Sequence, residues 1–217
     1  MRRFAAVLIA AVALAAAAPA FASDSMKIAA IPALEPGEQR AMFSMGCFWS
    51  AQAAFEGLPG VRAVISGFTG GTVANPTYEQ VSGEGTGHAE TILVIFDPRK
   101  IGYAQLLDYF WHNIDPTQAE GQFCDEGHQY RSAIWFENDE QRRLALASKH
   151  ALETTPQRFK GRIVTAIAPA GPFYAAEEYH QGFYRTHALH YHLYRVGCRH
   201  DARLIELWGK PGRENKV

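Results

Sequence analysis

Gly46-Cys47-Phe48-Trp49 sits between Arg40-Ala41-Met42-Phe43-Ser44-Met45, a short strand-like run, and Ser50-Ala51-Gln52-Ala53-Ala54-Phe55, a run rich in helix formers. The pattern predicts a strand handing over to a helix at the cysteine. Free backbone N–H groups and the positive end of the helix dipole meet at such a junction, and both favour an anion. A cysteine placed there should lose its proton more readily, and the thiolate is the reactive form. A cysteine in the same place also reads as a small buried hydrophobe. Position alone leaves both readings open.

Outward from this junction the chain alternates strands and helices. Val61 to Gly67 reads as a strand ended by the glycines of Phe68-Thr69-Gly70-Gly71. Thr72 to Gly87 is crowded with Gly, Pro, Thr and Ser and reads as a long loop, a kind of segment that often carries function. Thr91 to Phe96 is β-branched and apolar, a buried strand ended by Asp97-Pro98. Tyr103, Leu106, Leu107, Phe110 and Ile114 recur at helical spacing within Ile101 to Ile114. Asp115 to Gln129 is a second polar loop, and Ser132 to Phe136 another strand. Asn138 should cap a charged helix running to about Thr155 and stopped by Pro156. Ile163 to Ala168 reads as a strand, Glu177 to about His187 as helix, and the tail from His190 as irregular with one late turn at Ala202 to Trp208. The expected class is α+β, or an α/β sandwich: a mixed sheet with helices packed on it. The strand order does not follow from the pattern.

The N-terminus has a different character. Met1-Arg2-Arg3 precedes an apolar, alanine-rich run from Phe4 to Ala18, and Ala20-Phe21-Ala22 is a small-x-small cleavage pattern. Residues 1–22 therefore read as a secretory signal peptide, and the apolar run is short for a membrane span. Residues 23–39 should form a loose lead-in, leaving residues 40–217 as one domain with a tail at 190–217. Secretion across the inner membrane implies a periplasmic protein. The full-length charge of −1 becomes −3 once Arg2 and Arg3 are removed, which argues against nucleic acid or anionic membranes as partners.

Three cysteines, Cys47, Cys124 and Cys198, lie far apart, and an odd count leaves at least one thiol unpaired or cycling. No CxxC pair points to zinc. His180, His187, His190 and His192 cluster in sequence, but their spacings match no ligand template, so no metal is expected. Gly83-Glu84-Gly85-Thr86-Gly87 lacks phosphate-loop spacing and precedes a strand, not a helix. Glu90 opens a buried strand, where partial desolvation would raise its pKa and suit a general acid. Taken alone it also reads as a solvated strand-end carboxyl. In Cys124-Asp125-Glu126-Gly127-His128-Gln129-Tyr130-Arg131, Asp125 and Tyr130 are hydrogen-bonding candidates, and Arg131 could hold a carboxylate.

Gly46-Cys47-Phe48-Trp49, Tyr78-Glu79-Gln80-Val81, Gly87-His88-Ala89-Glu90 and Gln129-Tyr130-Arg131-Ser132 occur here in order. Together they closely resemble the A-type peptide methionine sulfoxide reductases, from roughly Arg40 to His187. The resemblance implies the ferredoxin-like α/β sandwich of that family and the reduction of methionine-S-sulfoxide. Cys47 would attack the sulfoxide sulfur. Glu90 would deliver a proton to the oxygen, and Tyr78 and Tyr130 would hydrogen-bond it. Phe48 and Trp49 would receive the substrate methyl, and Asp125 would orient or support. Cys47 would be left as a sulfenic acid. The resemblance favours Cys198 as the resolving thiol, giving a Cys47–Cys198 disulfide. Cys124 is the rival, at a position where relatives commonly carry Asn. No bound cofactor is implied. The partners would be oxidised proteins or peptides and a thioredoxin-type dithiol. A cysteine hydrolase using His88 or His128 as base, or a non-catalytic methionine-binding module, would leave several of these residues unexplained.

Overall fold

The computed structural model describes residues 27–155, 159 and 161–209. The predicted signal peptide lies outside the described residues. Strand β1 (Gln39–Met45) leads through Gly46 and Cys47 into helix α1 (Phe48–Phe55). The chain returns as β2 (Val61–Thr69), passes the short helix α2 (Tyr78–Ser82), and forms β3 (Ala89–Phe96) and helix α3 (Tyr103–Trp111). A two-residue hairpin, β4 (Gly121–Gln122) and β5 (Asp125–Glu126), precedes a 3₁₀ turn at His128–Tyr130 and strand β6 (Ser132–Phe136). Helix α4 (Asp139–Thr154), strands β7 (Ala166–Pro169) and β8 (Tyr174–Ala175), and helices α5 (Phe183–Thr186), α6 (Ala188–Gly197) and α7 (His200–Trp208) complete it.

The main sheet runs β7-β6-β1-β3-β2-β8. Its four inner strands pair antiparallel, and β7 joins β6 in parallel, so the sheet is mixed. The order β6-β1-β3-β2, linked β-α-β-β-α-β, is the ferredoxin-like arrangement. β3 is central and alternates with period two. Ile92, Val94 and Phe96 join the helix-side core with Phe43, Phe55, Leu106 and Phe110. Leu93 and Ile95 join the opposite face with Met42, Ile65 and Trp135. Both faces are covered, so β3 reads as an unbroken apolar run from Ile92 to Phe96.

Several expectations change. The lead-in is not loose where it is described: Ile28 bridges Glu177, and Ala29 N–H donates to Ala176 at 3.1 Å. Arg62 pairs with Glu38 and donates to the Ala33 carbonyl, so residues from Lys27 onward are tied to the sheet. The first long loop contains α2, because Thr77 and Gln80 form a capping box. The strand expected at 163–168 begins only at Ala166. The helix expected over 177–187 is a 3₁₀ turn at Glu178–His180 followed by α5. The tail is not irregular: α6 and α7 occupy it, and α7 buries Leu204 and Trp208 in the helix-side core. Among the described residues no helix is long and apolar enough to cross a membrane.

Phe43 is fully buried against Phe55, Tyr103 and Phe110. Phe43→Ala should cost about 3–5 kcal/mol through lost burial and an unfilled cavity, read as a lower urea midpoint at unchanged slope.

Candidate active site

β1 ends at Gly46, which holds a positive φ of 80° and lies so close to Gln122 that a Cβ would sit 2.5 Å from that side chain. Glycine is required there, and the turn delivers Cys47 to the N-cap of α1. The cap carbonyl accepts the Ser50 and Ala51 N–H groups. The Phe48 N–H, a donor with no intrahelical partner, donates to Glu90 Oε2 at 2.8 Å. Glu90 is the second residue of central strand β3 and only 2% exposed. The solvated strand-end reading therefore fails. Burial pushes its carboxyl up to about 8, against the Phe48 hydrogen bond and aided by the Asp125 charge. At neutral pH Glu90 holds a proton.

The same burial reverses the expectation for Cys47. Its thiol is held well above the ordinary thiol range, first by burial and then by the charges of Glu90 and Asp125. Hydrogen bonds from the Trp49 N–H and from Tyr194 pull the other way and are outweighed. A helix terminus contributes about 0.3–1 kcal/mol, whereas full burial moves a titration by up to about 3–5 pH units. The resting cysteine is a thiol.

Two tyrosines close the polar side. Tyr78 opens α2, and its N–H donates to Glu177 Oε1 at 3.0 Å. Tyr130 ends the 3₁₀ turn before β6 and hydrogen-bonds Tyr78. Burial, then Glu90, raises both hydroxyls, and Cys47 adds to each. Both therefore remain donors at neutral pH. Arg131 does not hold a carboxylate: it donates to the carbonyls of His88, His128 and Gly87 and braces the two loops. Phe48 lies beneath, 1% exposed, with its ring 6.2 Å from Tyr78. Trp49 stacks on Phe183 at 3.7 Å and donates its indole N–H to His180 Nδ1.

Sequence reasoning missed Tyr194 and His180. Tyr194, on α6, donates a short hydrogen bond to Asp125 Oδ2 and contacts the Cys47 sulfur. Burial raises the Asp125 carboxyl, and the Tyr194 bond opposes this. His180 is buried among Phe48, Trp49 and Tyr78, and burial lowers its pKa to about 4. The sequence signal for His180 was its neighbourhood, Glu177 to Gln181, just before a glycine. Tyr194 carried none, because it depends on how α6 docks.

Cys198 caps the C-terminal end of α6 and is bonded to Cys124, not to Cys47. The Cα atoms are 5.0 Å apart, and Cys47 is free and buried. The physical reason lies in the hairpin. Its turn at Phe123-Cys124 carries Cys124 outward to the end of α6, while Cys47 stays below Tyr194. Cys124, Asp125 and Cys198 bring ligand atoms within 4.8 Å of one another, but the disulfide uses both sulfurs. His88 cannot serve as a hydrolase base: its Nδ1 accepts from Gly71 N–H, and its Nε2 donates to the Val73 carbonyl at 2.7 Å.

A protonated buried acid, two hydroxyl donors, a buried free thiol and one disulfide-bonded cysteine pair define a cysteine-based oxidoreductase on a ferredoxin-like sandwich. The model of the peptide methionine sulfoxide reductase family matches residues 39–211, and the chain belongs to that family. The "Peptide methionine sulfoxide reductase MsrA" of Streptococcus agalactiae serotype Ia is 49% identical over 170 residues, covering 78% of this chain and 99% of that protein. The protein of the same name from Bacillus subtilis strain 168 is 48% identical over 169 residues, covering 78% and 95%. Among solved structures, methionine sulfoxide reductase A of Corynebacterium diphtheriae superposes with a TM-score of 0.63 at 30% identity, covering 76% of this chain and 89% of that one. Reduced Mxr1 from Saccharomyces cerevisiae gives 0.67 at 26% identity, covering 72% and 90%. The chain is an A-type enzyme that reduces methionine sulfoxide.

Glu90 binds its proton more tightly in the fold than in the unfolded chain, so stability falls as pH rises from 4.5 through about 8, with the penalty complete above that. Glu90→Gln keeps an acceptor for Phe48 N–H and removes the ionisation. Melting curves above pH 8 should show the variant more stable by at least about 1 kcal/mol. Parallel pH profiles for the two proteins would mean that Glu90 titrates as an ordinary carboxyl.

Proposed function

We propose that Cys47 is the nucleophile, Glu90 the proton donor, and Tyr78 and Tyr130 the hydroxyls that hold the sulfoxide oxygen. The observation that carries this reading is Glu90, buried, protonated at neutral pH, and hydrogen-bonded to the residue after Cys47. Attack by the Cys47 sulfur forms a bond to the oxygen-bearing centre. Glu90 protonates the departing oxygen, and the thiol proton restores the acid. The sulfoxide sulfur gains two electrons and leaves as a thioether. The S–O bond and the new bond to Cys47 break as the protonated oxygen passes to the Cys47 sulfur, which loses two electrons and becomes a sulfenic acid. Phe48 and Trp49 provide the apolar wall for the terminal methyl, and Asp125 orients the polar side. The S epimer is the substrate, in proteins and as free methionine sulfoxide.

The sulfenic acid is resolved by Cys198, which condenses with it to a disulfide and releases water. Cys124 then attacks Cys198, frees Cys47 as a thiol, and leaves the Cys124–Cys198 bridge. What supports this order is the bridge itself, together with the free state of Cys47. A thioredoxin-type dithiol reduces the bridge by exchange and is itself oxidised to a disulfide. The basic start, apolar run and Ala20-Phe21-Ala22 pattern support export to the periplasm, where the reductant must draw its electrons through the membrane or from a dedicated partner.

Reduced enzyme given one portion of methionine sulfoxide without reductant should lose two hydrogens, with the bridge mapped to Cys124 and Cys198. In Cys124→Ser the bridge should instead join Cys47 and Cys198. A Cys47–Cys124 bridge in Cys198→Ser formed as fast as the wild-type bridge would make Cys124 the resolving thiol. Unchanged thiols in a folded protein would reject Cys47 as nucleophile.

Cys47→Ser should abolish turnover. Glu90→Gln should lower kcat by about 10²–10⁴-fold. The wild-type rate should fall as pH rises through about 8, where Glu90 gives up its proton. A rate that rises through that range would exclude Glu90 as the acid.

A further inference from the structure

Helix α6 is a strap. Only Tyr191 and Arg195 of its ten residues are buried, while Leu189, Leu193 and Val196 are 73%, 62% and 60% exposed. It is entered at His187, whose backbone is not helical, and left at Arg199, in the left-handed region. Both flanks are anchored: Gly182 N–H, before α5, donates to Gln52, and Trp208 of α7 donates to the Ile114 carbonyl. Between these anchors the strap has one covalent tether, the bond from Cys198 to Cys124.

That tether acts one helical turn from Tyr194, whose carbonyl accepts the Cys198 N–H at 2.9 Å. The Tyr194 hydroxyl reaches Asp125 and the Cys47 sulfur, and its ring stands edge-on to Trp49 with centroids 6.3 Å apart. Phe183 already covers one face of Trp49. The site is thereby closed on both its polar and its apolar side, and Cys47 is left 9% exposed. A substrate sulfur must come into contact with the Cys47 sulfur to react, and Tyr194, bonded to Asp125 and packed edge-on against Trp49, borders that sulfur.

We infer that Tyr194 is a redox-keyed stopper: while the Cys124–Cys198 disulfide is closed, α6 holds Tyr194 over Cys47 and excludes sulfoxide substrate, and reduction of the disulfide lets the strap lift. The inference rests on the reading of Cys47 as the nucleophile. In the opening step the Cys124–Cys198 bond breaks, each sulfur takes up one electron and one proton, and the dithiol reductant forms its own S–S bond. The device has a chemical use. With the disulfide closed, neither Cys124 nor Cys198 is available to resolve a sulfenic acid. A second attack by Cys47 in that state would leave the sulfenic acid exposed to further oxidation, which is irreversible for most proteins. Closing the site until the reductant has acted keeps attack and resolution in step.

The test is the rate at which iodoacetamide alkylates Cys47 in the full-length protein, followed on the Cys47 peptide by mass spectrometry. The oxidised enzyme should react at least about tenfold more slowly than the reduced enzyme, as expected when the open form is a minor population. Cys198→Ser, which removes the tether and leaves Tyr194, should react at the reduced rate. Oxidised Tyr194→Ala should also react at the reduced rate, whereas oxidised Tyr194→Phe should stay slow, because its ring keeps the edge-on place against Trp49. Equal rates for oxidised and reduced wild type overturn the proposal, as does a slow Tyr194→Ala that is folded by circular dichroism. A Tyr194→Phe rate matching Tyr194→Ala would assign the effect to the lost hydrogen bond and overturn it too. A parallel reductase assay separates the two readings. If reduced enzyme alkylated only at Cys47 kept its activity, the nucleophile assignment would fail whatever the alkylation rates.

Discussion

The hydrogen bond from the Phe48 N–H to Glu90 joins the first turn of α1 to the central strand of the sheet inside a dry site. A buried carboxyl is tolerated here because it remains protonated and because a helix-terminal donor, otherwise without a partner, satisfies one of its oxygens. Much of the architecture serves this contact. Gly46 must turn the chain within touching distance of Gln122 so that α1 starts opposite β3. β3 must be the inner strand, with apolar cover on both faces, so that its second residue lies out of water. The tyrosines and Asp125 then need only loops to reach the same point, and Arg131 holds those loops by their carbonyls.

The same desolvation sets the resting chemistry. An acid that must donate a proton gains from burial, whereas a thiol that must attack loses by it. The N-terminus of α1 and the Trp49 N–H favour the thiolate, but they act against burial and two nearby carboxyls. The outcome is a quiet cysteine beside a charged-state-averse acid. Such a site holds no standing thiolate open to any oxidant.

Legibility in the sequence followed the range of the interactions. The β1–α1 junction, the Asn138 cap and the spacing of Tyr103, Leu106, Leu107 and Phe110 are local patterns, and the structure agrees with them. The short motifs around Cys47, Tyr78, Glu90 and Tyr130 were legible as a resemblance, and the fold brings those four residues into electrostatic reach of one another. The tail differs from its reading because the apolar residues of α6, Leu189, Leu193 and Val196, recur at helical spacing but face outward, so they mark no core contact. Its docking rests on Tyr191, Arg195 and the disulfide. The lead-in was misread for a similar reason: its contacts are backbone bonds to residues 176–178 and one arginine cluster, which leave no local pattern.

The amino-acid order by itself determined the alternation of strands and helices, the place of Cys47 at a strand-to-helix turn, and the kinship that the four motifs declare, because each depends on neighbours within a few residues. Tertiary structure alone decided which cysteine meets which, the proton on Glu90, the thiol state of Cys47, and the seat of Tyr194. Cys124 and Cys198 are 74 residues apart in sequence and meet only because a two-residue hairpin and the end of α6 converge. The protonation states follow from how much water the assembled core excludes, a quantity that no segment of the chain carries on its own.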